Sequence, residues 1–85
     1  MGSKRGQTAM STELSYTIQL RPEPEGGFTV LVPALPEIVT YGIDEAEALR
    51  MAHEAIELAL EVRREDGEDI PTDIVPLTRT ISIAA

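Results

Sequence analysis

Cysteine is absent from this chain of 85 residues, and histidine occurs only once, at His53. Structural zinc sites combine several cysteine and histidine ligands around one ion. The composition therefore argues against a zinc site, and it excludes disulfide bonds. Together with the lack of an apolar secretory signal at the start of the chain, it favours a cytoplasmic protein.

Long apolar runs are missing as well, since no stretch approaches the roughly 20 residues that a membrane-spanning helix needs. We therefore expect one small soluble domain. A domain of this size buries only about 60% of the surface that its unfolded chain exposes, which leaves a thin core. Stabilisation as a homo-oligomer, a dimer or a tetramer, is expected for that reason.

Basic residues are few, and the formal net charge is −8. From Glu13 to Ala85, five basic residues stand against fifteen acidic ones, which gives −10. Binding to nucleic acid normally begins with a basic surface that displaces the counterions of the phosphates. We therefore expect no direct DNA binding, and a basic protein is the better partner.

The first twelve residues, MGSKRGQTAMST, are mostly polar and small. We interpret residues 1–12 as a flexible leader that could derive in part from an expression vector, with Met10 as a candidate natural start. Residues 13–85 are then a single domain.

Alternation of apolar and polar side chains predicts the first strand. The apolar positions are Leu14, Tyr16, Ile18 and Leu20. The next segment, PEPEGG at 22–27, predicts a hairpin turn, because proline interrupts strand pairing and glycine accepts positive φ. The returning strand, FTVLV at 28–32, is apolar at nearly every position. This predicts that both of its faces are covered, one by a helix and the other by a further element or a second copy of the chain.

Two prolines, Pro33 and Pro36, follow this strand directly. Each fixes its own φ and lacks an amide hydrogen, so PALP predicts a rigid connection that holds Leu35 in place. The β-branched run at 38–41 can then rejoin the sheet.

Asp44, with Glu47 three residues later, is typical of a helix start. Strong helix formers fill 45–64, and Gly67 suits the C-terminal cap. The apolar arc of this helix covers roughly 200°, wider than the roughly 100° that one sheet contact requires. This width predicts core packing plus a contact with another copy or partner.

After the helix, Leu77, Ile81 and Ile83 alternate with threonine and serine, which predicts a final strand. Arg79 falls on its apolar side and indicates an edge or an interface. The predicted order is β-β-β-α-β: an α+β fold with one antiparallel-rich sheet packed against one long helix.

Several of these segments together resemble the HicB-like antitoxins of bacterial toxin–antitoxin pairs. They are YTI at 16–18, EGGFTV at 25–30, VPALP at 32–36, the Gly42–Asp44–Glu47–Ala48 helix start, and EDIP at 68–71. The resemblance implies a partial ribonuclease-H-like fold. Glu37-Ile38 replaces the Gly-Cys usual in the family and Ile43 replaces an acidic residue, so details of these loops are expected to differ.

Many members of that family carry a second, DNA-binding domain. Only two alanines follow Ile83, so this chain resembles the short, stand-alone form of the HicB N-terminal domain.

The resemblance implies binding and occlusion of a small, basic, HicA-type toxin that cleaves RNA. Candidate partner-binding residues are Glu54, Glu57 and Glu61, which could match a basic toxin surface. The alternative for this glutamate row is a solvated helix face. For the wide apolar arc, core plus homodimer contact competes with a toxin groove. The alternative function is a stand-alone oligomeric structural or regulatory module without a toxin.

A ribonuclease-H-like sheet also raises the possibility of a metal-dependent nuclease, which needs several carboxylates converging on divalent ions. The four aspartates lie at a helix cap or in loops rather than on strands: Asp44, Asp66, Asp69 and Asp73. We therefore expect that the chain is not an enzyme and that it has no catalytic residue, no metal and no cofactor. His53, at the margin of the apolar arc, is expected to serve a structural or interface role.

Overall fold

The computed structural model describes residues 13–85. Three strands precede one long helix: β1 (Gln19–Pro22), β2 (Phe28–Leu31), β3 (Val39–Gly42) and α1 (Glu45–Glu65). The predicted α+β fold, with an antiparallel sheet followed by a long helix, is confirmed. The predicted leader lies outside the described residues.

β1 is shorter than predicted, because residues 13–18 are not part of a strand. In the antiparallel register, Gln19 lies opposite Leu31, so Thr17 would fall opposite Pro33. The chain turns away from the sheet after Leu31, and proline has no amide hydrogen to donate. Residues before Gln19 therefore have no strand to pair with, although Tyr16 and Ile18 still pack against the core.

The hairpin between β1 and β2 closes as predicted. The Gly26 amide donates to the Glu23 carbonyl at 3.0 Å, and the Glu23 amide donates to the Gly27 carbonyl at 3.0 Å. Both glycines have positive φ, which residues with a Cβ rarely adopt. The Tyr41 hydroxyl of β3 donates to the Gly26 carbonyl and so ties the turn to the third strand.

The proline-bounded connection holds Leu35 in place, as predicted, and the structure shows that this residue lies in the core. The Leu35 amide donates to the Val32 carbonyl and the Ile38 amide to the Leu35 carbonyl, which makes two successive tight turns. Glu37, one of the departures from the family pattern, forms a salt bridge with Arg63 of α1 at 3.0 Å. This ion pair fastens the connection to the helix.

The sheet has the order β1-β2-β3, with both pairs antiparallel. Alternate side chains therefore point to opposite faces. On one face Val30 packs against Ala48 and Ala52 of α1, with Leu20 and Phe28 beside them. On the opposite face Val39 remains 65% exposed. The element predicted to cover this second face is therefore not found among residues 13–85 at this strand.

α1 begins and ends where its caps predict. The Asp44 side chain accepts the Glu47 amide, and the Glu47 carboxylate in turn accepts the Ile43 amide. At the other end the amides of Gly67 and Glu68 donate to the carbonyls of Arg64 and Arg63. This pattern is a Schellman motif, which satisfies the last carbonyls of the helix.

Under the C-terminal half of α1, Val32, Leu35, Ile38 and Leu60 form a second buried cluster. Ile70, beyond the helix, packs against this cluster. Two hydrogen bonds then fix the chain beside the start of the sheet. The Tyr16 hydroxyl donates to the Pro71 carbonyl at 2.6 Å, and the Thr17 amide donates to the Asp73 carboxylate at 2.8 Å.

The predicted fourth strand does not form within the single chain. Residues 68–85 contain no strand, and Leu77, Ile81 and Ile83 are 80–83% exposed. The physical reason is a missing partner: after Pro76 the segment makes no backbone hydrogen bond to the rest of residues 13–85. Alternation of side chains is present, but a strand also requires a neighbouring edge.

Candidate protein-interaction site

The three glutamates predicted to bind a partner lie on the exposed side of α1. Glu54, Glu57 and Glu61 fall within about 60° of one another at 100° per residue, so they share one strip of the helix surface. All three are exposed. The opposite side of the helix, with Ala48, Ala52 and Leu60 buried, faces the sheet and the core.

An open groove of about 750 Å³ runs along this strip. We define the acidic groove by its lining residues, which are Glu13, Leu14, His53, Glu57, Leu58, Leu60, Glu61 and Arg64. α1 supplies most of the lining, and Glu13 and Leu14 approach the helix from the segment before β1. The structure therefore brings Glu57 and Glu61 together in one depression.

Glu54 does not line the acidic groove. It lies on the helix surface beside the groove and exposed to solvent. Glu13, Leu14 and Arg64 were not predicted as part of a site. Leu14 follows the alternation of a strand in the sequence, and no local pattern indicates that this residue lies against a helix that begins 31 positions later, at Glu45.

Charge in the acidic groove is predominantly negative. Glu13, Glu57 and Glu61 provide three carboxylates, against which Arg64 provides one guanidinium. His53 Nδ1 lies 3.5 Å from Glu57 Oε1, and both side chains are mostly exposed. An exposed pair of this kind contributes little to stability, so it leaves Glu57 free to meet an incoming cation.

Apolar side chains lie between these charges. Leu58 is 61% exposed in the groove, and Leu14 is also exposed. The wide apolar arc predicted for α1 is thus divided between core and surface, because Leu49, Leu58 and Val62 remain exposed. A partner with a basic rim and apolar side chains would match both properties of the groove.

The Asp73 carboxylate is held by two hydrogen-bond donors, both from Thr17. It accepts the Thr17 amide and the Thr17 hydroxyl, each at 2.8 Å. These hydrogen bonds lower the pKa of Asp73 below its ordinary value of 3.8, with the amide bond as the main cause. Hydrogen bonds from Thr29 and then Arg21 lower the pKa of Glu23 in the same way.

We expect the Asp73–Thr17 contact to be lost on acidification. The pKa of Asp73 is lower in the folded chain than in the unfolded one, so its stabilisation is present above the unfolded pKa of about 3.9 and is lost as pH falls through the folded value. An NMR titration of the Asp73 carboxyl should give a midpoint below 3.8.

The Thr17→Val variant tests the cause of that shift. It removes the hydroxyl donor and keeps the amide donor, so the Asp73 midpoint should rise only part of the way towards its ordinary value. Glu23 serves as the internal control, since neither of its donors is changed. An Asp73 that titrates at its ordinary value in the native chain would contradict the contact.

Among residues 13–85, no group of three or more histidine, aspartate or glutamate side chains is arranged to hold a metal ion. Within the same range, no helix combines the length and the apolar character needed to cross a membrane.

Comparison with known proteins identifies the family. No protein-family model matches the chain. Antitoxin HicB 1 of Photorhabdus laumondii is 43% identical over 58 residues, which cover 68% of this chain and 37% of that protein. Antitoxin HicB of Escherichia coli K12 is 40% identical over 58 residues, 68% of this chain and 42% of that protein. A UPF0150 protein of Thermoplasma acidophilum is 37% identical over 60 residues, 71% of this chain and 87% of that protein.

The chain belongs to the HicB-like antitoxin family. The resemblance noted in its strands, turns and helix start is thereby confirmed. This HicB-like chain spans less than half the length of the two antitoxin relatives and most of the length of the UPF0150 relative.

The positions at which this HicB-like chain departs from the family pattern have defined roles in its structure. Glu37 pairs with Arg63, and Ile38 is buried in the cluster that also contains Leu35. Ile43 is exposed, and its amide is bound by Glu47. The unusual residues at 37 and 38 therefore add an ion pair and an apolar contact.

Proposed function

We propose that this HicB-like chain acts as an antitoxin that binds a small, basic, HicA-type toxin and covers the surface with which that toxin meets RNA. Family membership is the observation that carries the antitoxin role, since relatives at 40–43% identity are named Antitoxin HicB. The identity of the toxin class rests on the resemblance, and the contact surface rests on the acidic groove. The mechanism is occlusion, which requires no catalytic group in this chain.

The acidic groove supports the proposal in two ways. Its carboxylates complement a basic surface that evolved to meet phosphate, and complementary charge accelerates encounter and suppresses wrong partners. Leu14 and Leu58 add exposed apolar area between the charges. Apolar contacts at the centre of an interface, surrounded by polar groups, are typical of specific protein pairs.

An acidic body also supports the further proposal that residues 13–85 do not bind DNA directly. Over this range the excess of ten acidic residues would repel the phosphate backbone. We place the protein in the cytoplasm, where an RNA-cleaving toxin would act.

Charge reversal within the acidic groove tests the contact surface. The Glu57→Lys/Glu61→Lys variant should weaken binding of a basic HicA-type ribonuclease captured with this chain from its native host about tenfold or more, equivalent to about 1.4 kcal/mol. The matched control is Glu25→Lys/Asp69→Lys, which makes the same change in net charge at exposed positions outside the groove. Calorimetric titration and inhibition of RNA cleavage would measure both variants.

Three outcomes separate the possibilities. A loss confined to Glu57 and Glu61 supports the groove, and equal losses in both variants would indicate attraction by overall charge alone. A toxin that binds the Glu57→Lys/Glu61→Lys variant as tightly as it binds the native chain would refute the groove. The Glu54→Lys variant is informative as well, because Glu54 lies beside the groove and should have a smaller effect.

A stand-alone oligomeric module without a toxin is the second candidate function. The observation that favours it is that the matched region spans most of the length of two UPF0150 relatives; the one from Archaeoglobus fulgidus is 36% identical and is covered over 93% of its length. A tagged chain purified from its native host distinguishes the two. Recovery of a small basic protein whose ribonuclease activity appears only after separation supports the antitoxin, and a defined oligomer with no masked activity supports the module.

A further inference from the structure

The segment after Pro76, residues 77–83, has the side-chain pattern of a strand without the pairing of one. Leu77, Ile81 and Ile83 occupy alternate positions and are 80–83% exposed. Arg79 shares their side of the segment, and Thr78, Thr80 and Ser82 occupy the other side. The single hydrogen bond recorded for its side chains is local, from Arg79 Nη1 to the Thr78 carbonyl at 2.8 Å. Apart from the Thr78 carbonyl, the backbone groups of the segment therefore remain available for pairing.

The beginning of the segment is nevertheless fixed. Pro76 lies in an apolar depression of about 370 Å³ with Leu31, Pro33 and Ile38 among its lining residues. Asp73 is bound to Thr17 a few residues earlier. The exposed segment therefore starts from a defined place close to the beginning of β3. Pairing this segment with another strand would reduce the conformational freedom of only the residues beyond Pro76.

The two outer strands of the sheet differ in how well they are protected against further pairing. β1 contains Arg21 and Pro22, and charge and proline are the residues by which edge strands discourage added strands. β3, with the sequence VTYG, contains neither. Val39 and Tyr41 of β3 are also exposed on the face away from α1. β3 is the edge that lacks these protections.

We propose that residues 77–83 pair as a strand with the β3 edge of a second copy of this chain, and that the second copy makes the same contact in return. Each copy carries both the free segment and the open edge, so one two-fold axis satisfies both contacts. Adding a strand in this way uses the backbone groups of both partners and places alternate side chains on one face.

Side-chain chemistry favours a second copy as the occupant. With Leu77, Ile81 and Ile83 on the face that carries Val39 and Tyr41, the added strand would extend the apolar side chains across the open side of the sheet, with Arg79 between Leu77 and Ile81 on the same face. Arg79 is the one charged side chain of the segment, whereas residues 13–76 carry fifteen acidic and four basic residues. The segment therefore carries a charge opposite in sign to that of the body it would contact.

This pairing does not depend on the antitoxin function. The acidic groove lies along α1, on the other side of the molecule's core from Val39 and Tyr41, so a paired dimer could bind a toxin or act without one. Failure of the dimer and failure of toxin binding are therefore separate results.

Sedimentation analysis of the whole chain tests the proposal. The native protein should be dimeric, and the Ile81→Lys/Ile83→Lys variant should dissociate with a dissociation constant about 100-fold higher or more. The matched control is Thr80→Lys/Ser82→Lys, which adds the same charge in the same segment on the other face. Its dissociation constant should stay within about threefold of the native value, since long lysine stems can reach solvent from an edge.

Folding of the variants can be checked independently, because Ile81 and Ile83 touch no core residue in the single chain. Circular dichroism of the dissociated variant should therefore show the helix intact. A native chain that stays monomeric at about 200 µM would overturn the proposal, as would a dimer that both variants leave unchanged.

Hydrogen exchange identifies the pairing itself. Backbone amides in 77–83, and those amides of β3 that point away from β2, should be protected in the native dimer and exchange freely in the Ile81→Lys/Ile83→Lys variant. The β3 amides that pair with β2 should stay protected in both proteins. A dimer in which 77–83 exchanges freely would overturn the proposal, and so would protection of the outward-pointing amides of β1 in place of those of β3.

Discussion

The Leu35→Ala variant is expected to lose about 2–5 kcal/mol of the free energy of unfolding, the range for leucine truncation in a packed core. Leu35 is fully buried and packs with Val32, Ile38 and Leu60. Small domains have total stabilities near 5–15 kcal/mol, so this single change would remove a large share. Urea unfolding followed by circular dichroism would measure it.

The rigid connection around Leu35 explains why the loss should be large. Turns at both sides of the residue, together with Pro33 and Pro36, hold its backbone in place, so the surrounding chain has little freedom to fill the cavity. The matched control is Ile43→Ala, because Ile43 is 67% exposed and its truncation should change stability by less than about 0.5 kcal/mol. A Leu35→Ala loss below about 1 kcal/mol would show that the connection collapses readily.

The Gly42→Ala variant is expected to lose about 3 kcal/mol, at the upper end of the usual cost of overpacking. A Cβ atom at Gly42 would overlap the backbone nitrogen of Ala48 and would lie only 2.5 Å from its Cα. Backbone atoms of a helix cannot rotate away as a side chain can. α1 would have to move away from β3, and the contact between Val30, Ala48 and Ala52 would open.

A double variant distinguishes backbone contact from side-chain contact at this position. Gly42→Ala/Ala48→Gly removes the Ala48 Cβ, which would lie 2.9 Å from the new atom, but leaves the two closer backbone contacts. A glycine within a helix itself costs about 1 kcal/mol relative to alanine. After allowance for that cost, thermal and urea unfolding should show that the double variant regains at most part of the stability lost in Gly42→Ala. Full recovery would mean that the helix backbone does not limit this approach.

The helix could be predicted from the sequence because its signals are local. Asp44, Glu47 and Gly67 specify both ends through hydrogen bonds that reach only a few residues along the chain. The same holds for the hairpin turn at Gly26 and Gly27. Local chemistry of this kind does not depend on knowing what lies beside the segment.

Strand lengths could not be predicted in the same way. The alternation at 14–20 continues past the point where β2 turns away at Pro33, so the strand is cut short by its partner rather than by its own sequence. The alternation at 77–83 is equally clear, yet no strand in the single chain is available to pair with it. A side-chain pattern reports which face is apolar and not whether an edge is present.

The candidate site shows the same division. That Glu57 and Glu61 share a helix surface follows from the period of the helix. That Glu13 and Leu14 complete a groove beside them depends on the path of the chain before β1, which no local pattern contains. The bond between Asp73 and Thr17 was likewise unpredictable, since the two residues are 56 positions apart.

That distance has a consequence for the order of folding. Neighbouring strands of the sheet are consecutive in the sequence and the helix is local, so most of the body closes only short loops. The Tyr16–Pro71 and Thr17–Asp73 contacts instead close loops of 55 and 56 residues, which costs more chain entropy. We therefore expect the segment beyond the helix to be the last part to dock during folding and the first to be released, while the sheet and helix stay assembled.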